Sequence, residues 1–433
     1  MKTKQILWSV IFLILGIFIG GWGIYSYAQD MIMKNLPIGI ASLDEKDSYI
    51  QPVPTSALTQ RKYSSSSKAK NLILFIGDGM SLSQITAYRL ITGGSNSRIS
   101  VDNFPYSGIV LTHSEDGVVT DSASSATAYS TGYKTNNTYL GLDSNKKSLE
   151  NLTETLNRFG FVSSLLATSE ITHATPAAFA AHIDLRWKTD EISSQMLNAK
   201  VSTFLGGGRH FFLPENLGGK REDGRNLIEE LKDNNILLTT KEEMLNFVPN
   251  TSKKVFGLFA DEHLRNIDTP ENHIYEPSLR EMVQFAVNRS NRFVDEGCEG
   301  FFIMAEGSQV DWAGHVNNLD YLITEMKDLD TAIEWALEYA KDNDDTLVVV
   351  TSDHETGGLL IEPANPVDYT SQGVKISFNT AVGSGTHTGV PVPIYAYGPG
   401  AENFTGTLDN TDVYGAITAS LDLDEQIGSC LTE

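Results

Sequence analysis

Short runs of apolar residues alternate along this chain with segments in which apolar residues recur every three or four positions. The first run, "NLILFIGDGM", begins at Asn71 and ends in an aspartate flanked by glycines. A nearly continuous apolar run of this length is typical of a strand buried on both faces of a sheet. The next segment, "SLSQITAYRLIT" (81–92), has helical spacing, with Ser81 or Ser83 as its N-terminal cap.

The same strand–loop–helix order recurs further along the chain. Further strands are predicted at 161–168, 300–308, 345–355 and 390–400, and helices at 278–297 and 318–341. Strands that alternate with helices predict an α/β sandwich with a mainly parallel sheet flanked by helices. Because its prolines cannot donate to a ladder, the last strand is expected near a sheet edge. Residues 186–275 contain no recognisable motif, and we expect a substrate-side or interface insertion there.

The N-terminal part differs from the rest. A basic "MKTK" precedes "ILWSVIFLILGIFIGGWGIY" (6–25), which has no charge, and small residues follow at Ser26 and Ala28. This pattern fits a cleaved signal peptide and is also long enough for an uncleaved membrane anchor. Either one predicts an exported protein, periplasmic or extracellular. If the segment is an anchor, the rest of the chain is expected to lie outside the cytoplasm. The expected division is residues 1–28 as signal peptide or anchor, 29–70 as a polar tether and 71–433 as one folded domain.

Composition excludes some classes of function. The chain has 433 residues, 41% of them hydrophobic, and a formal net charge of -23. A nucleic-acid-binding protein normally presents a basic face, so such an acidic balance argues against that role. There are only two cysteines, which allow at most one disulfide and lack the spacing of a zinc finger. Cys298 precedes a predicted buried strand and is expected to be inert.

Metal-binding residue types follow several of the predicted strands. Ligands of open α/β sheets collect outside the carboxyl ends of the strands. The residues at those ends are Asp78 after the first strand, Glu306, Asp311 and His315 in and after the strand at 300–308, and Asp353 and His354 after the strand at 345–355. Each one alone has an ordinary structural explanation, such as a turn or a helix start, but their shared position indicates a common site.

Aspartate together with histidine suits zinc. Asp311 and His315 are four residues apart, so on a helix they share one face and can hold one ion. Carboxylates crowded at one sheet edge repel one another unless cations offset their charge. With His387, which alone would be an ordinary loop histidine, the set serves two zinc ions. Glu306 leaves room for a third, harder ion such as magnesium.

Six motifs occur in the order found in alkaline phosphatases: "FIGDGM", "TDSASSATAYSTGYKT", "HATPAAFAAH", "EGSQVDWAGH", "TSDHETGG" and "THTG". The resemblance runs from Asn71 to Gly415. It implies a large central sheet in a three-layer sandwich, with 71–433 as the catalytic domain. It also implies hydrolysis of phosphate monoesters with broad specificity through a phosphoserine, two Zn²⁺ and one Mg²⁺ per site, and a homodimer.

The resemblance implies roles by matched position. Ser122 would be the nucleophile and Arg186 the phosphate clamp. The implied metal ligands are Asp78, Asp353, His354 and Ser122 for one zinc, Asp311, His315 and His387 for the other, and Glu306, Thr175, His173 and Asp78 for the magnesium. His173 stands where some members have aspartate, so the third site could take zinc instead. Trp312 stands where many members have lysine or histidine, so we expect phosphate to be held less tightly.

The motif "TDSASSATAYSTG" (120–132) is therefore expected to begin a helix whose N-terminus meets phosphate. Asp121 either orients Arg186 or only caps that helix. His182 is expected to be a packed, hydrogen-bonded histidine, and four other histidines show no partner pattern: His113, His210, His263 and His273.

Other functions remain open at this stage. A phosphodiesterase or phosphonate-acting relative would keep a similar two-zinc core, whereas Arg186 and a third metal site favour a monoesterase. A sulfatase is disfavoured because the chain has no C/S-x-P-x-R setting. A non-catalytic zinc-binding protein would not need Ser122, Arg186 and a third metal site together.

Overall fold

The structure is a computed structural model that describes residues 63, 65, 67–267, 272–365, 373–380, 385–423 and 430. The expected signal peptide or anchor, residues 1–28, and most of the expected tether lie outside this part of the chain. Within it, no helix combines the length and apolar character needed to cross a membrane. Ala69 is fully buried and bridges to Leu421, so chain packing begins just before the first strand.

Fourteen strands are found in the described residues. They are β1 (Asn71–Gly77), β2 (Tyr106–Leu111), β3 (Phe161–Glu170), β4 (Thr203–Gly207), β5 (Ile236–Leu238), β6 (Val255–Leu258), β7 (Gly300–Gly307), β8 (Thr346–Thr351), β9 (Glu355–Thr356), β10 (Leu359–Pro363), β11 (Val374–Phe378), β12 (His387–Thr388), β13 (Val392–Tyr397) and β14 (Gly406–Asp409).

Ten of these strands form one sheet in the order β14-β2-β13-β8-β1-β7-β3-β4-β6-β5. Only β13 runs antiparallel to its neighbours in this sheet, so the prediction of a large, mainly parallel sheet is confirmed. The expected edge position of β13 is wrong, because it lies between β2 and β8. Its pairing with β8 starts at Tyr395, after Pro393, so the proline lies where the strand has only one neighbour.

Helices cover both faces of the sheet. They are α1 (Leu82–Gly93), α2 (Ser122–Thr131), α3 (Leu152–Arg158), α4 (Ala174–Ala178), α5 (Thr189–Asn198), α6 (Leu227–Asn234), α7 (Lys241–Leu245), α8 (Asn272–Tyr275), α9 (Leu279–Asp295), α10 (Gln309–His315), α11 (Leu319–Asp342) and α12 (Asn410–Ser420). Ser81, rather than Ser83, caps α1, because its side chain accepts from the Ser83 N–H and Gln84 completes a capping box.

The core lies in two layers, one on each face of the sheet. In β1, Leu72 and Leu74 pack with α2, α3 and α12, whereas Ile73 and Phe75 pack with α1, α9 and α11. Burial of both faces explains why this strand is apolar at every position. The predicted three-layer α/β sandwich is thereby confirmed.

One smaller expectation is corrected, and one possibility is decided. Residues 186–275 are more than an insertion, because they supply β4, β5 and β6, which complete one side of the central sheet. The single disulfide that two cysteines allow is present, between Cys298 and Cys430. Neither result could be read from apolar runs, because β5 is only three residues long and the cysteines are 132 residues apart in sequence.

Candidate active site

The predicted ligands meet because four neighbouring strands of the sheet end at one edge. In the order β8-β1-β7-β3, the register aligns Ile76 of β1 with Thr351 on one side and Glu306 on the other. Asp78 follows β1, and the loop after β8 carries the next two ligands. Parallel strands therefore deliver residues distant in sequence to one place.

The first cluster surrounds Nε2 of His354. This nitrogen lies 3.3 Å from Ser122 Oγ, 3.2 Å from Asp353 Oδ2 and 3.5 Å from Asp78 Oδ1. Asp78, Asp353 and His354 are fully buried, and their ligand atoms lie within 4.8 Å of one another. The residues expected to hold one zinc ion therefore lie together.

The second cluster joins α10 to the short strand β12. His315 Nε2 lies 3.1 Å from Asp311 Oδ2 and 3.2 Å from His387 Nε2. One helical turn brings Asp311 and His315 together, as the four-residue spacing predicts. His387 arrives from far along the chain because β12 pairs with β9, which places it opposite Thr356.

The third cluster consists of Asp78, His173 and Glu306, whose ligand atoms also lie within 4.8 Å of one another. His173 and Thr175 come from the loop and helix α4 that follow β3, and the Thr175 hydroxyl neighbours Glu306. Ser308 donates to Glu306 Oε2 at 2.7 Å and fixes that carboxylate. Asp78 belongs to both this cluster and the first, so the two can share it as a bridging ligand.

Burial and repulsion between like charges raise the pKa of three carboxyl groups of the site, whereas the neighbouring histidines lower that of Asp311. Burial raises the pKa of Asp78 well above its usual value, and the charges of Asp353 and Asp311 raise it further. Burial likewise raises the pKa of Glu306 to about 8 and that of Asp353 to about 6. So many buried carboxylates can all be ionised near neutral pH only if cations lie among them.

The site contains buried polar atoms that no other group of the described residues hydrogen-bonds. They are both carboxylate oxygens of Asp78, Oδ2 of Asp353, Oε1 of Glu306, Nδ1 of His173 and Oγ1 of Thr175. Buried polar atoms without partners are rare and costly in folded proteins. These atoms belong to the three clusters or, in the case of Oγ1, to Thr175 beside the third, and carboxylate, imidazole and hydroxyl groups are metal ligands, so the residues present fit divalent cations.

The three histidines of the first two clusters are oriented by bonds to their other ring nitrogen. His315 Nδ1 lies 2.7 Å from the carbonyl of Gly385, and His387 Nδ1 lies 2.9 Å from the carbonyl of Thr120. A carbonyl can only accept, so each Nδ1 donates to it, and this bond turns each Nε2 towards the cluster. Such partners fix the tautomer of a metal-binding histidine.

Thr356 does the same for His354. Its hydroxyl lies 3.2 Å from His354 Nδ1 and also hydrogen-bonds Asp311 Oδ1. Since the carboxylate only accepts, the hydroxyl donates to Asp311 and accepts from His354. Burial and the charge of His387 hold the pKa of His354 well below its usual value, so the ring is neutral. Thr356 was not singled out in the sequence, where a threonine beside "DHE" carries no signal.

Helix α2 presents Ser122 to the first cluster. Asp121 caps the helix by accepting from the Ser124 N–H at 3.0 Å, and Gly132 ends it in a left-handed conformation. All ten residues of the helix are buried. Ser125 donates to the carbonyl of Asp353 at 2.8 Å, which ties the helix to the loop that carries Asp353 and His354. Small side chains permit this close packing, and so the motif is a buried helix as predicted.

Arg186 lies against Asp121, the residue before Ser122, and against His173 of the third cluster. Its Nη1 donates to Asp121 Oδ2 at 3.2 Å, and its Nη2 lies 3.0 Å from His173 Nε2. Asp121 therefore performs both roles that were left open, since it caps α2 and orients the guanidinium. The planar fork is held from two sides and suits a phosphate oxygen pair.

Among the remaining histidines, His182 is packed and hydrogen-bonded, as expected: its nitrogens lie 2.9 Å from the carbonyl of Gly141 and 3.1 Å from Glu154 Oε1. His263 has a partner that sequence reasoning missed. It lies against Trp312, with ring centres 4.1 Å apart, and its Nδ1 contacts the carboxylate of Glu170. Only the fold brings these three residues together, because Glu170 ends β3, Trp312 lies in α10 and His263 lies in the loop after β6.

The family model described as "Alkaline phosphatase" matches residues 69–377 and 362–423. Alkaline phosphatase 4 of Bacillus subtilis is 32% identical, over 89% of this chain and 96% of the relative. The alkaline phosphatase of the Antarctic bacterium TAB5 has a TM-score of 0.72 and 35% identity, over 82% of this chain and 98% of that one.

A second TAB5 structure is a histidine-to-glutamate variant with Mg bound in the M3 site. It has a TM-score of 0.72 and 33% identity, over 83% of this chain and 99% of that one. Sequence and fold agree over almost all the described residues, and therefore this chain belongs to the alkaline phosphatase family.

Proposed function

We propose that the protein hydrolyses phosphate monoesters to an alcohol and inorganic phosphate through a phosphoserine at Ser122. The observation that carries the proposal is the position of Ser122. This residue is at the N-terminus of α2, and its Oγ lies 3.3 Å from His354 Nε2. The hydroxyl is thus beside a cluster that fits a cation, and the helix N-terminus favours the negative charge of phosphate.

The three clusters would hold two zinc ions and a third cation. Asp78, Asp353, His354 and Ser122 would bind one zinc, Asp311, His315 and His387 the other, and Asp78, His173, Thr175 and Glu306 the third ion, Mg²⁺ or Zn²⁺. When bound, these ions supply positive charge that lowers the pKa of coordinated oxygens and offsets the charge of phosphate.

The side chains of the protein carry the rest of the reaction. The Ser122 hydroxyl gives up its proton to solvent as Oγ attacks phosphorus, the bond from phosphorus to the alcohol oxygen breaks, and that oxygen takes a proton from solvent and leaves as the alcohol. Water then attacks the phosphoserine, the bond from phosphorus to Ser122 Oγ breaks, and phosphate is released. Arg186 binds two non-bridging oxygens of the phosphate both while the phosphoserine forms and while it is hydrolysed. None of the residues given a role above contacts the alcohol, so we expect broad substrate specificity.

Trp312 lies beside the third cluster, with its ring centre 6.0 Å from that of His173. An indole brings no cation to the phosphate, so we infer that product phosphate is held less tightly than a lysine at this position would hold it. Competitive inhibition by phosphate tests this directly. Trp312→Lys should lower the inhibition constant, and an unchanged constant would contradict the inference.

One set of rates tests the proposed function against its alternatives. Hydrolysis is measured for an aryl phosphate monoester, the matching diester and the aryl sulfate, with Zn²⁺ and Mg²⁺ and after chelation. We expect the monoester to be cleaved much faster than the other two and the rate to disappear on chelation. A faster diester would indicate a phosphodiesterase, and no turnover of any ester would indicate a non-catalytic zinc-binding protein.

We also propose export and homodimerisation. Residues 6–25 support export, and N-terminal sequencing of secreted protein would show whether cleavage follows Ala28. For the dimer, the support is apolar surface on β2, where Ile109 and Leu111 are exposed on the face opposite buried Val110. Light scattering should give twice the chain mass for the exported protein. The Ile109→Lys variant should give the mass of a single chain.

A further inference from the structure

Three aromatic rings meet beside the third cluster. The ring centre of Trp312 lies 6.0 Å from that of His173 and 4.1 Å from that of His263. His173 and His263 are themselves 6.5 Å apart and nearly perpendicular. Trp312 is therefore packed between a cluster residue and a histidine that belongs to no cluster.

The loop that carries His263 is held rigidly against the site. Leu264 donates its N–H to the carbonyl of Thr168 at 3.1 Å, and Gln309 of α10 donates to the carbonyl of Leu264 at 2.7 Å. At Gly207 a Cβ would lie 1.9 Å from the carbonyl oxygen of Glu262, so only glycine admits the loop there. The position of His263 is thus fixed by backbone contacts on both sides.

Glu170 fixes the ring of His263 as well. Glu170 is at the end of β3, and only 11% of its side chain is exposed. Its carboxylate pairs with His263 Nδ1. Gly208 lies directly behind it, because a Cβ there would come within 2.8 Å of the Glu170 Cβ. A buried carboxylate that binds one nitrogen of a ring determines the direction of the ring.

We propose that His263, held by Glu170, is a positioning residue that keeps the indole of Trp312 against His173 and so shapes the third cation site. The role acts through Trp312 and not through contact with substrate. It deepens the proposed function, on which it rests for the identity of the third cation. It also gives residues 186–275 a part in the site, through the loop that follows β6.

His263→Ala tests the proposal by removing the ring that supports the indole. We expect Mg²⁺ to bind about 3–10-fold more weakly, less than the 10–100-fold typical of a residue that touches a ligand directly. Bound zinc, measured in the same dialysed samples, should be unchanged. The tryptophan emission should shift to longer wavelength as Trp312 gains water, and in a Trp312→Phe background His263→Ala should produce no shift.

Three further variants separate positioning from general loosening. His263→Phe keeps a ring on the indole and should recover most of the Mg²⁺ affinity. Glu170→Gln should weaken Mg²⁺ binding as His263→Ala does, but by a smaller factor. It replaces the alanine variant as the test if that variant fails to fold. His210→Ala is the matched control, because His210 pairs with Asp261 in the same region and has no ring contact with Trp312.

The proposal is overturned if His263→Ala keeps both the Mg²⁺ affinity and the emission of the parent protein. It is overturned equally if His210→Ala produces the same changes. Failure of the proposed function gives a different result, because an inactive parent protein would leave the Mg²⁺ and emission differences measurable. Mg²⁺ alone is the probe, so no substrate is required.

Discussion

Ser122 is the residue on which turnover should depend most strongly. Ser122→Ala removes the hydroxyl that we propose forms the covalent intermediate, while the aspartate and histidine residues of the first two clusters remain. We expect turnover to fall by about 10³-fold or more, with bound zinc retained and no phosphate trapped on the protein. Steady-state rates, metal analysis and labelling with a radioactive phosphate ester measure these three effects.

The matched control for this variant is Ser130→Ala in the same helix. Ser130 donates to the carbonyl of Ala178, away from the clusters, at 2.8 Å. Its loss should cost stability and little turnover. A Ser122→Ala protein with more than about a tenth of the parent rate would show that another group is the nucleophile.

Thr356 should control zinc affinity although it binds no metal itself. Thr356→Val has the same shape and lacks the hydroxyl that joins His354 Nδ1 to Asp311. We expect zinc to be lost to a competing chelator at a concentration about 10–100-fold lower than for the parent protein. Thr356→Ser restores the hydroxyl and should restore zinc retention. Equal zinc affinity in the valine variant would mean that His354 needs no such partner.

At the scale of elements, α11 holds the start of α9 through a buried carboxyl group. Asp328 Oδ2 accepts from the N–H of Leu279 at 3.1 Å, and burial together with the charge of Glu281 raises the pKa of Asp328 to about 6. A raised carboxyl pKa favours folding while the group is protonated, below its ordinary pKa of about 4. That contribution is lost as pH rises through about 6.

Asp328→Asn keeps the acceptor for Leu279 and removes the titration. We expect the variant to be about 1–3 kcal/mol more stable than the parent protein at pH 8 and to lose this advantage as pH falls towards 4. Urea unfolding of both proteins at several pH values measures the difference. Asp342→Asn, at the exposed end of the same helix, is the control. A stability difference that does not change with pH would contradict the prediction.

The elements themselves were largely predictable, and their places in the sheet were not. The helix at 318–341 was found at Leu319–Asp342, and the helix at 278–297 was found at Leu279–Asp295. Apolar spacing records which residues are buried, and so it gives the type and approximate length of an element. It does not record which strands are neighbours, and the prolines of β13 suggested an edge although the strand lies between β2 and β8.

At the scale of the whole molecule, cations should contribute to folding stability. Removing them leaves Asp78, Asp353, Glu306 and Asp311 buried together without offsetting charge. We expect chelation to lower the thermal midpoint, and Zn²⁺ with Mg²⁺ to restore it. A metal present at 100 times its dissociation constant stabilises by about 2.7 kcal/mol. Scanning calorimetry before and after chelation measures the change, and an unchanged midpoint would show that the clusters bind no ion that matters to folding.

The disulfide should add to stability in a separate way. Cys298 and Cys430 close a loop of 132 residues, which links the end of α9 to the C-terminal part of the chain. Reduction should destabilise the protein by about 2–4 kcal/mol, because the unfolded chain regains freedom. Denaturant unfolding with and without reductant measures this. A Cys298→Ser variant should be less stable to begin with and should not respond to the reductant.

The sequence by itself determined the type of fold and the chemical character of the site. Apolar runs with helical segments between them required an α/β sandwich, because each strand had to be buried on both faces. Acidic and histidine residues at the ends of those runs indicated cations, because carboxylates crowded at one sheet edge repel one another unless cations offset their charge. Motifs in a family order then suggested which residue would play which role.

Only the tertiary structure decided which groups act on one another. β12 reaches β9 across the chain and places His387 in its cluster, Thr356 connects His354 to Asp311, and His263 supports Trp312. These contacts join residues through hydrogen bonds and ring packing that have no periodicity in sequence. They depend on the order of strands and on the close approach of loops, and both are set only when the whole sheet is assembled.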